Sequence, residues 1–113
     1  MGKKKTPKVK VPKGDAKKGE SVFVAECVTC HALDGDDRSA AAPNLGGIMG
    51  RKAGARDFPY SNAIKKSGIK WNPKHMFMYL QAPGKYIPGN RMAYGGIKDG
   101  QTRADLIAYL KSV

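Results

Sequence analysis

One pentapeptide constrains the fold of this chain more than any other feature, because it holds both cysteines and one of only two histidines: Cys27-Val28-Thr29-Cys30-His31. Two thiols three residues apart, followed directly by an imidazole, form the attachment pattern of a c-type haem. The thiols can form thioethers with the two vinyl groups on one side of a porphyrin. The imidazole of His31 would then lie beneath the iron as a proximal ligand. The motif predicts a fold built around a covalent cofactor.

Three other uses of the pentapeptide are less well supported. A structural zinc site needs four ligands, and beyond the pentapeptide only His75 remains. A thioredoxin-like dithiol would lie beside a βαβ pattern, and no segment here alternates like a strand. A disulfide that closes so short a loop would constrain the unfolded chain very little. Covalent haem is therefore the favoured interpretation.

The charge of the chain is concentrated at its beginning. The net charge is +12, and residues 1–18 carry eight lysines against the single Asp15, which gives +7. We expect a basic, disordered tail over residues 1–13 and one domain over residues 14–113. Such a tail would steer the protein toward acidic partners or an anionic membrane surface. Nucleic acid is disfavoured as a partner, because no nucleic-acid-binding motif is present.

Capping residues predict a helix at each end of the domain. Asp15 can cap a first helix, on which Gly19 and Phe23 share one face. Gly19 indicates either a close helix crossing or a flexible position. Thr102, with Asp105 three residues later, resembles a capping box at the start of the last helix. The buried stripe expected for that helix is Leu106, Ile107 and Leu110.

Two further helices are expected between the first and the last helix, and a long loop is expected after the haem-attachment motif. A short helix over residues 62–67 would begin after Ser61 and end at Gly68 in a left-handed conformation. A longer helix would begin at Asn72-Pro73 and end before Pro83. Residues 32–59 show no regular periodicity, and a loop of that length suits a chain wrapped around a large ligand. The fold class is therefore mostly α.

The other face of the iron needs a second ligand. Met92 follows a loop rich in proline and glycine, so its thioether could reach an iron without deforming a helix. Met49, between glycines, is the runner-up by the same argument. Met76 and Met78 lie within a predicted helix, where methionine usually fills the core.

From residue 14 onward the chain resembles mitochondrial cytochrome c. The residues that carry the resemblance stand in family order: Gly19, Phe23, Cys27 to His31, Pro43-Asn44-Leu45, Gly50-Arg51-Lys52, Phe58, Tyr60, Trp71, Tyr79-Leu80, Tyr86-Ile87-Pro88-Gly89, Met92 and Asp105 to Leu110. The resemblance implies a small cytochrome c fold, in which the first and last helices cross at Gly19 and Phe23 and long loops wrap one covalent haem c.

The resemblance also implies a role for each site residue. Cys27 and Cys30 would form the thioethers, and His31 and Met92 would be the axial iron ligands. The carbonyl of Pro43 would accept a hydrogen bond from the His31 ring. The remaining residues implied to line the haem are Arg51, Tyr60, Trp71 and Tyr79.

The implied function is electron transfer. A six-coordinate haem iron suits one-electron transfer and leaves no position for a substrate, so we expect no enzyme activity. The resemblance implies a monomeric shuttle in the mitochondrial intermembrane space, which carries electrons from a cytochrome bc1-type complex to cytochrome c oxidase. An open-site haem enzyme or gas sensor is the alternative, and in it Met92 would be a core residue. The docking face would include Lys85, Arg91 and Lys98.

Overall fold

The computed structural model describes residues 5–26, 45–54, 62–89 and 95–113. Within these residues the chain is helical and forms no sheet, apart from one isolated antiparallel bridge between Lys52 and Lys70. No helix in the described part is long and apolar enough to cross a bilayer. The described residues form five helices, which are α1 (Ala16–Glu26), α2 (Asn62–Lys66), α3 (Pro73–Gln81), α4 (Pro83–Tyr86) and α5 (Gly100–Ser112).

Two helices begin at the caps predicted for them. The Asp15 carboxylate accepts hydrogen bonds from the backbone amides of Lys17, at 2.9 Å, and Lys18, at 3.4 Å. The Asn72 side chain likewise accepts from the His75 amide at 2.8 Å, with Pro73 as the first helical residue. Each cap satisfies an amide that has no partner within its own helix. Gly68, beyond the end of α2, has the left-handed conformation expected, with φ of 69°.

One prediction about a helix boundary was wrong, and another was confirmed. The cap of α5 is Asp99, whose carboxylate accepts from the Thr102 amide at 2.8 Å and from the Thr102 hydroxyl at 2.6 Å. These bonds favour the ionised carboxylate and lower the pKa of Asp99. The predicted end of α3 before Pro83 is confirmed, because α3 ends at Gln81, but Pro83 is also the first residue of α4, a helix that was not predicted. Proline is tolerated there since the first residue of a helix needs no amide donor.

The crossing of α1 and α5 is confirmed, and the two helices approach each other closely at Gly19. A Cβ at Gly19 would collide with the Asp105 carbonyl and crowd the Tyr109 side chain. Phe23 is only 3% exposed, and its ring centroid lies 5.5 Å from that of Tyr109. The Asp105 carboxylate does not cap α5. It accepts a hydrogen bond from the Asp15 amide at 2.9 Å and so joins the two helices.

The core lies between α5, α3 and the loop before α3. The backbone of residues 50–53 pairs with residues 69–71, through bonds such as Ala53 N–H to Ile69 O at 2.8 Å. Arg103 of α5 is buried and places its guanidinium 4.1 Å from the centre of the Phe77 ring on α3. Its burial lowers the pKa of Arg103. The buried hydrophobic residues are Phe23, Ile48, Ala53, Ile69, Trp71, Met76, Tyr79, Leu80, Ile87, Ile97, Ala104, Leu106, Ile107 and Leu110.

Residues 5–13 have no regular secondary structure, and they touch the domain at several points. Val11 packs against the core, and the Lys13 carbonyl accepts a hydrogen bond from the Gln101 side chain at 3.0 Å. The Thr6 hydroxyl accepts one from Asn72 at 3.3 Å. The disorder expected for the whole tail stays a prediction, while these contacts tie part of it to α3 and α5.

Candidate functional site

The structure describes three of the site residues predicted from the sequence, Arg51, Trp71 and Tyr79. The other six lie outside the described residues: Cys27, Cys30, His31, Pro43, Tyr60 and Met92. The described part of the site is therefore one wall, which Arg51, Trp71 and Tyr79 form. The proposed thioether sites and axial ligands rest on sequence chemistry.

Backbone pairing brings Arg51 and Trp71 together. The Trp71 amide donates to the Arg51 carbonyl at 2.9 Å, within the same pairing that holds Ala53 to Ile69. The Arg51 guanidinium donates to the carbonyl of Gly46, and that side chain is half-buried. The cation of Arg51 and the indole of Trp71 are thus carried by adjacent backbone segments.

Trp71 and Tyr79 form the aromatic part of this wall. Their ring centroids lie 5.0 Å apart and the ring planes meet at 63°, an edge-to-face arrangement that aromatic pairs prefer. Each residue is 7% exposed. Burial raises the pKa of Tyr79 to about 12, because the phenolate would lose its hydration. The Tyr79 phenol therefore stays neutral near pH 7.

These residues fit a haem c. The buried Trp71 and Tyr79 rings supply an apolar surface with one uncharged hydroxyl, and Arg51, whose backbone pairs with that of Trp71, supplies a cation. The chain also carries two thiols, an imidazole and a thioether, the donors that a covalent haem with His/Met ligation requires. No cluster of His, Cys, Asp and Glu side chains suited to another metal occurs in the described part of the chain.

Sequence reasoning missed His75. It considered this residue only as an isolated zinc ligand, whereas the structure buries it to 2% exposure with its ring nitrogen 2.7 Å from the Tyr86 hydroxyl. One signal in the sequence was the predicted cap of α3, because Asn72 accepts from the backbone amide of the residue three positions later and so places His75 in the first turn of that helix. Nothing in the sequence pattern pointed to Tyr86 as its partner, because α4 was not predicted.

Comparison with known proteins identifies the family. The cytochrome c family pattern matches residues 16–113. The cytochrome c of Tetrahymena pyriformis is 54% identical over 109 residues, which is 96% of this chain and 98% of that protein. The cytochrome c of Theileria parva is 49% identical over 96% of this chain and 94% of its own length. That of Arabidopsis thaliana is 43% identical over 87% and 88%.

A solved structure shows the same architecture. Cytochrome cH from Methylobacterium extorquens superposes with a TM-score of 0.82 at 37% identity, and the match covers 88% of this chain and 100% of that one. The helix crossing at Gly19, the buried Trp71–Tyr79 pair and the family match over residues 16–113 are all consistent with this architecture. This chain belongs to the cytochrome c family.

Proposed function

We propose that His31 and Met92 are the axial ligands of the haem iron, and that Cys27 and Cys30 form the thioether bonds. The observation that carries this proposal is the single Cys-Val-Thr-Cys-His pentapeptide inside a family match that spans residues 16–113. Met92 is supported by the composition of the sequence before it, which is rich in proline and glycine, because a segment of that kind would present a thioether without distorting a helix.

The function follows from family membership. The chain is a one-electron carrier that takes electrons from a cytochrome bc1-type complex to cytochrome c oxidase, and it acts in the mitochondrial intermembrane space. It carries one covalent haem c and is not an enzyme. When bound, this haem supplies a reversible ferric/ferrous couple, which a thioether ligand shifts toward the reduced state.

We assign the remaining site residues to holding and shielding the cofactor. Trp71 and Tyr79 exclude water with buried rings, and the Tyr79 phenol offers a neutral hydrogen-bond donor. Arg51 and Tyr60 are proposed to lie near the haem propionates. The Pro43 carbonyl is proposed to accept a hydrogen bond from the His31 ring, which would set the tautomer of that ligand.

Spectra of two methionine variants test the ligand assignment. Thioether ligation to ferric haem gives a charge-transfer band near the red end of the visible spectrum. We expect this band in the wild-type protein and its loss in Met92→Leu. The matched control is Met49→Leu, which should keep the band. A wild-type protein without the band would contradict thioether ligation, and loss of the band only in Met49→Leu would reassign the ligand.

The docking surface is also proposed. Lys85 and Lys98 are exposed, and with Arg91 they would form a basic face for acidic surfaces on the two redox partners. Residues 1–13 are proposed to act as a basic tail ahead of domain 14–113, with attraction to anionic membrane surfaces. We propose that the protein works as a monomer.

A further inference from the structure

The side chain of His75 contacts hydroxyl groups from two other parts of the chain. Its Nδ1 lies 2.7 Å from the Tyr86 hydroxyl of α4, and its Nε2 lies 3.4 Å from the Thr6 hydroxyl of the N-terminal segment. Asn72 accepts from its backbone amide at 2.8 Å and donates to the Thr6 hydroxyl at 3.3 Å. In either neutral tautomer the ring donates from one nitrogen and accepts at the other, so both hydroxyl partners are satisfied.

Tyr86 lies just before the segment that contains Met92. It is the last residue of α4, where the Ile87 amide donates to the Pro83 carbonyl at 3.1 Å. Met92 follows six residues later. The contact between His75 and Tyr86 therefore holds the entry to the Met92 segment, which we define as residues 88–96.

The exit of the Met92 segment is held by the same helix. The Ile97 amide donates to the Leu80 carbonyl of α3 at 2.7 Å. Gly96 has a φ of 103°, and a Cβ there would collide with the Gln81 carbonyl. Helix α3 thus contacts the exit through its backbone, and the His75 side chain is one of its contacts with the entry.

We propose that His75 is a positioning residue that anchors α4 to α3 and so keeps the Met92 thioether available to the iron. This inference rests on the proposed role of Met92 as an axial ligand. The His75 ring is buried and the Tyr86 side chain is half-buried, and this burial raises the pKa of the Tyr86 phenol, so their contact lies in a partly desolvated environment. Removal of the imidazole would leave the Tyr86 hydroxyl without this partner in such an environment.

Hydrogen exchange in the haem-loaded protein tests the anchor without reference to the iron. In His75→Leu we expect the amides of Lys85, Tyr86 and Ile87, which donate within α4, to exchange about tenfold faster. Tyr86→Phe should accelerate the same amides, and the double variant should add little to either single change. The Gly19 amide of α1 should be unaffected. The matched controls are Gln81→Leu on α3 and Tyr109→Phe on α5.

Competition with imidazole tests the link to Met92. Free imidazole can take the iron position of a thioether when the segment that carries the thioether moves away. We expect His75→Leu to raise the apparent affinity for imidazole about tenfold, measured by loss of the charge-transfer band. His75→Gln should recover part of the wild-type value, because an amide retains a donor and an acceptor.

The outcomes separate this inference from the ligand assignment. If the wild-type band is present but His75→Leu leaves both α4 exchange and imidazole affinity unchanged, the positioning role is wrong and the ligand assignment stands. A uniform rise in exchange at Gly19 and α4 alike would also overturn the role, since it would show only a general loss of stability. If the wild-type band is absent, the Met92 ligand is wrong, and the claimed link from His75 to the iron fails with it.

Discussion

At the scale of single residues, Tyr79 shows how burial sets the chemistry of a side chain. Tyr79 is 7% exposed and packs beside Trp71. Loss of hydration raises the pKa of its phenol from 10.0 to about 12. A neutral phenol next to the proposed haem wall can donate a hydrogen bond without adding negative charge. A phenolate there would instead favour ferric iron.

The raised pKa of Tyr79 predicts a loss of stability in alkali. Because the folded pKa exceeds the unfolded value of 10.0, its contribution to stability is complete below pH 10.0 and disappears as the pH rises through about 12. Between pH 9 and pH 11, the free energy of unfolding of Tyr79→Phe should therefore fall by about 1 kcal/mol less than that of the wild-type protein. Denaturant unfolding at each pH measures this difference. Equal losses in the two proteins would show that Tyr79 ionises normally in the fold.

At the scale of elements, the crossing of α1 and α5 depends on the absence of a side chain. The backbone of α1 approaches the Asp105 carbonyl of α5 so closely that only a glycine fits at position 19. The helices are also joined by the bond from the Asp15 amide to the Asp105 carboxylate, which lowers the pKa of Asp105. Glycine weakens an isolated helix, so here packing outweighs propensity.

Two glycine substitutions should have opposite effects on stability. Gly19→Ala should lower the free energy of unfolding by about 1–3 kcal/mol, because the new methyl group forces α1 and α5 apart. The matched control is Gly84→Ala in α4, where a Cβ meets nothing within 4 Å. This change should be neutral or stabilise by up to about 1 kcal/mol, since alanine favours helix. Chemical denaturation measures both, and equal stabilities would contradict the close crossing.

At the scale of the whole molecule, positive charge is divided between a tail and a folded surface. Residues 1–13 carry six lysines and no acidic residue, which is +6 of the net +12 and leaves +6 for the remainder. Long-range attraction depends on total charge, whereas docking depends on the charges that face the partner. The proposed docking lysines and the tail lysines should therefore contribute differently to electron transfer.

Paired charge variants can separate these contributions. Association with a purified bc1-type complex or oxidase should slow as salt increases, because screening weakens attraction between charged surfaces. Lys85→Gln with Lys98→Gln should slow association more than Lys8→Gln with Lys10→Gln, although both pairs lower the net charge equally. Stopped-flow kinetics over a range of ionic strength measures this. A rate independent of salt, or equal slowing by the two pairs, would contradict a localised docking face.

Sequence reasoning succeeded where a local rule was sufficient. Asp15 and Asn72 were identified as caps because the bond each makes joins groups only two or three residues apart. The cap of α5 was predicted at Thr102, whereas it is Asp99. Threonine and aspartate are both favourable capping residues, so residue type alone does not decide between the two positions. Sequence reasoning missed α4, since Pro83 is compatible with both the end and the start of a helix.

The sequence by itself determined the cofactor chemistry, because two thiols and an imidazole at fixed spacing are a property of five consecutive residues. Only the tertiary structure decided that Gly19 marks a close crossing and that His75 has a partner in Tyr86. The physical reason is distance along the chain: 86 residues separate Gly19 from Asp105, and 11 separate His75 from Tyr86. Such contacts depend on how whole helices pack, which no local pattern of residues specifies.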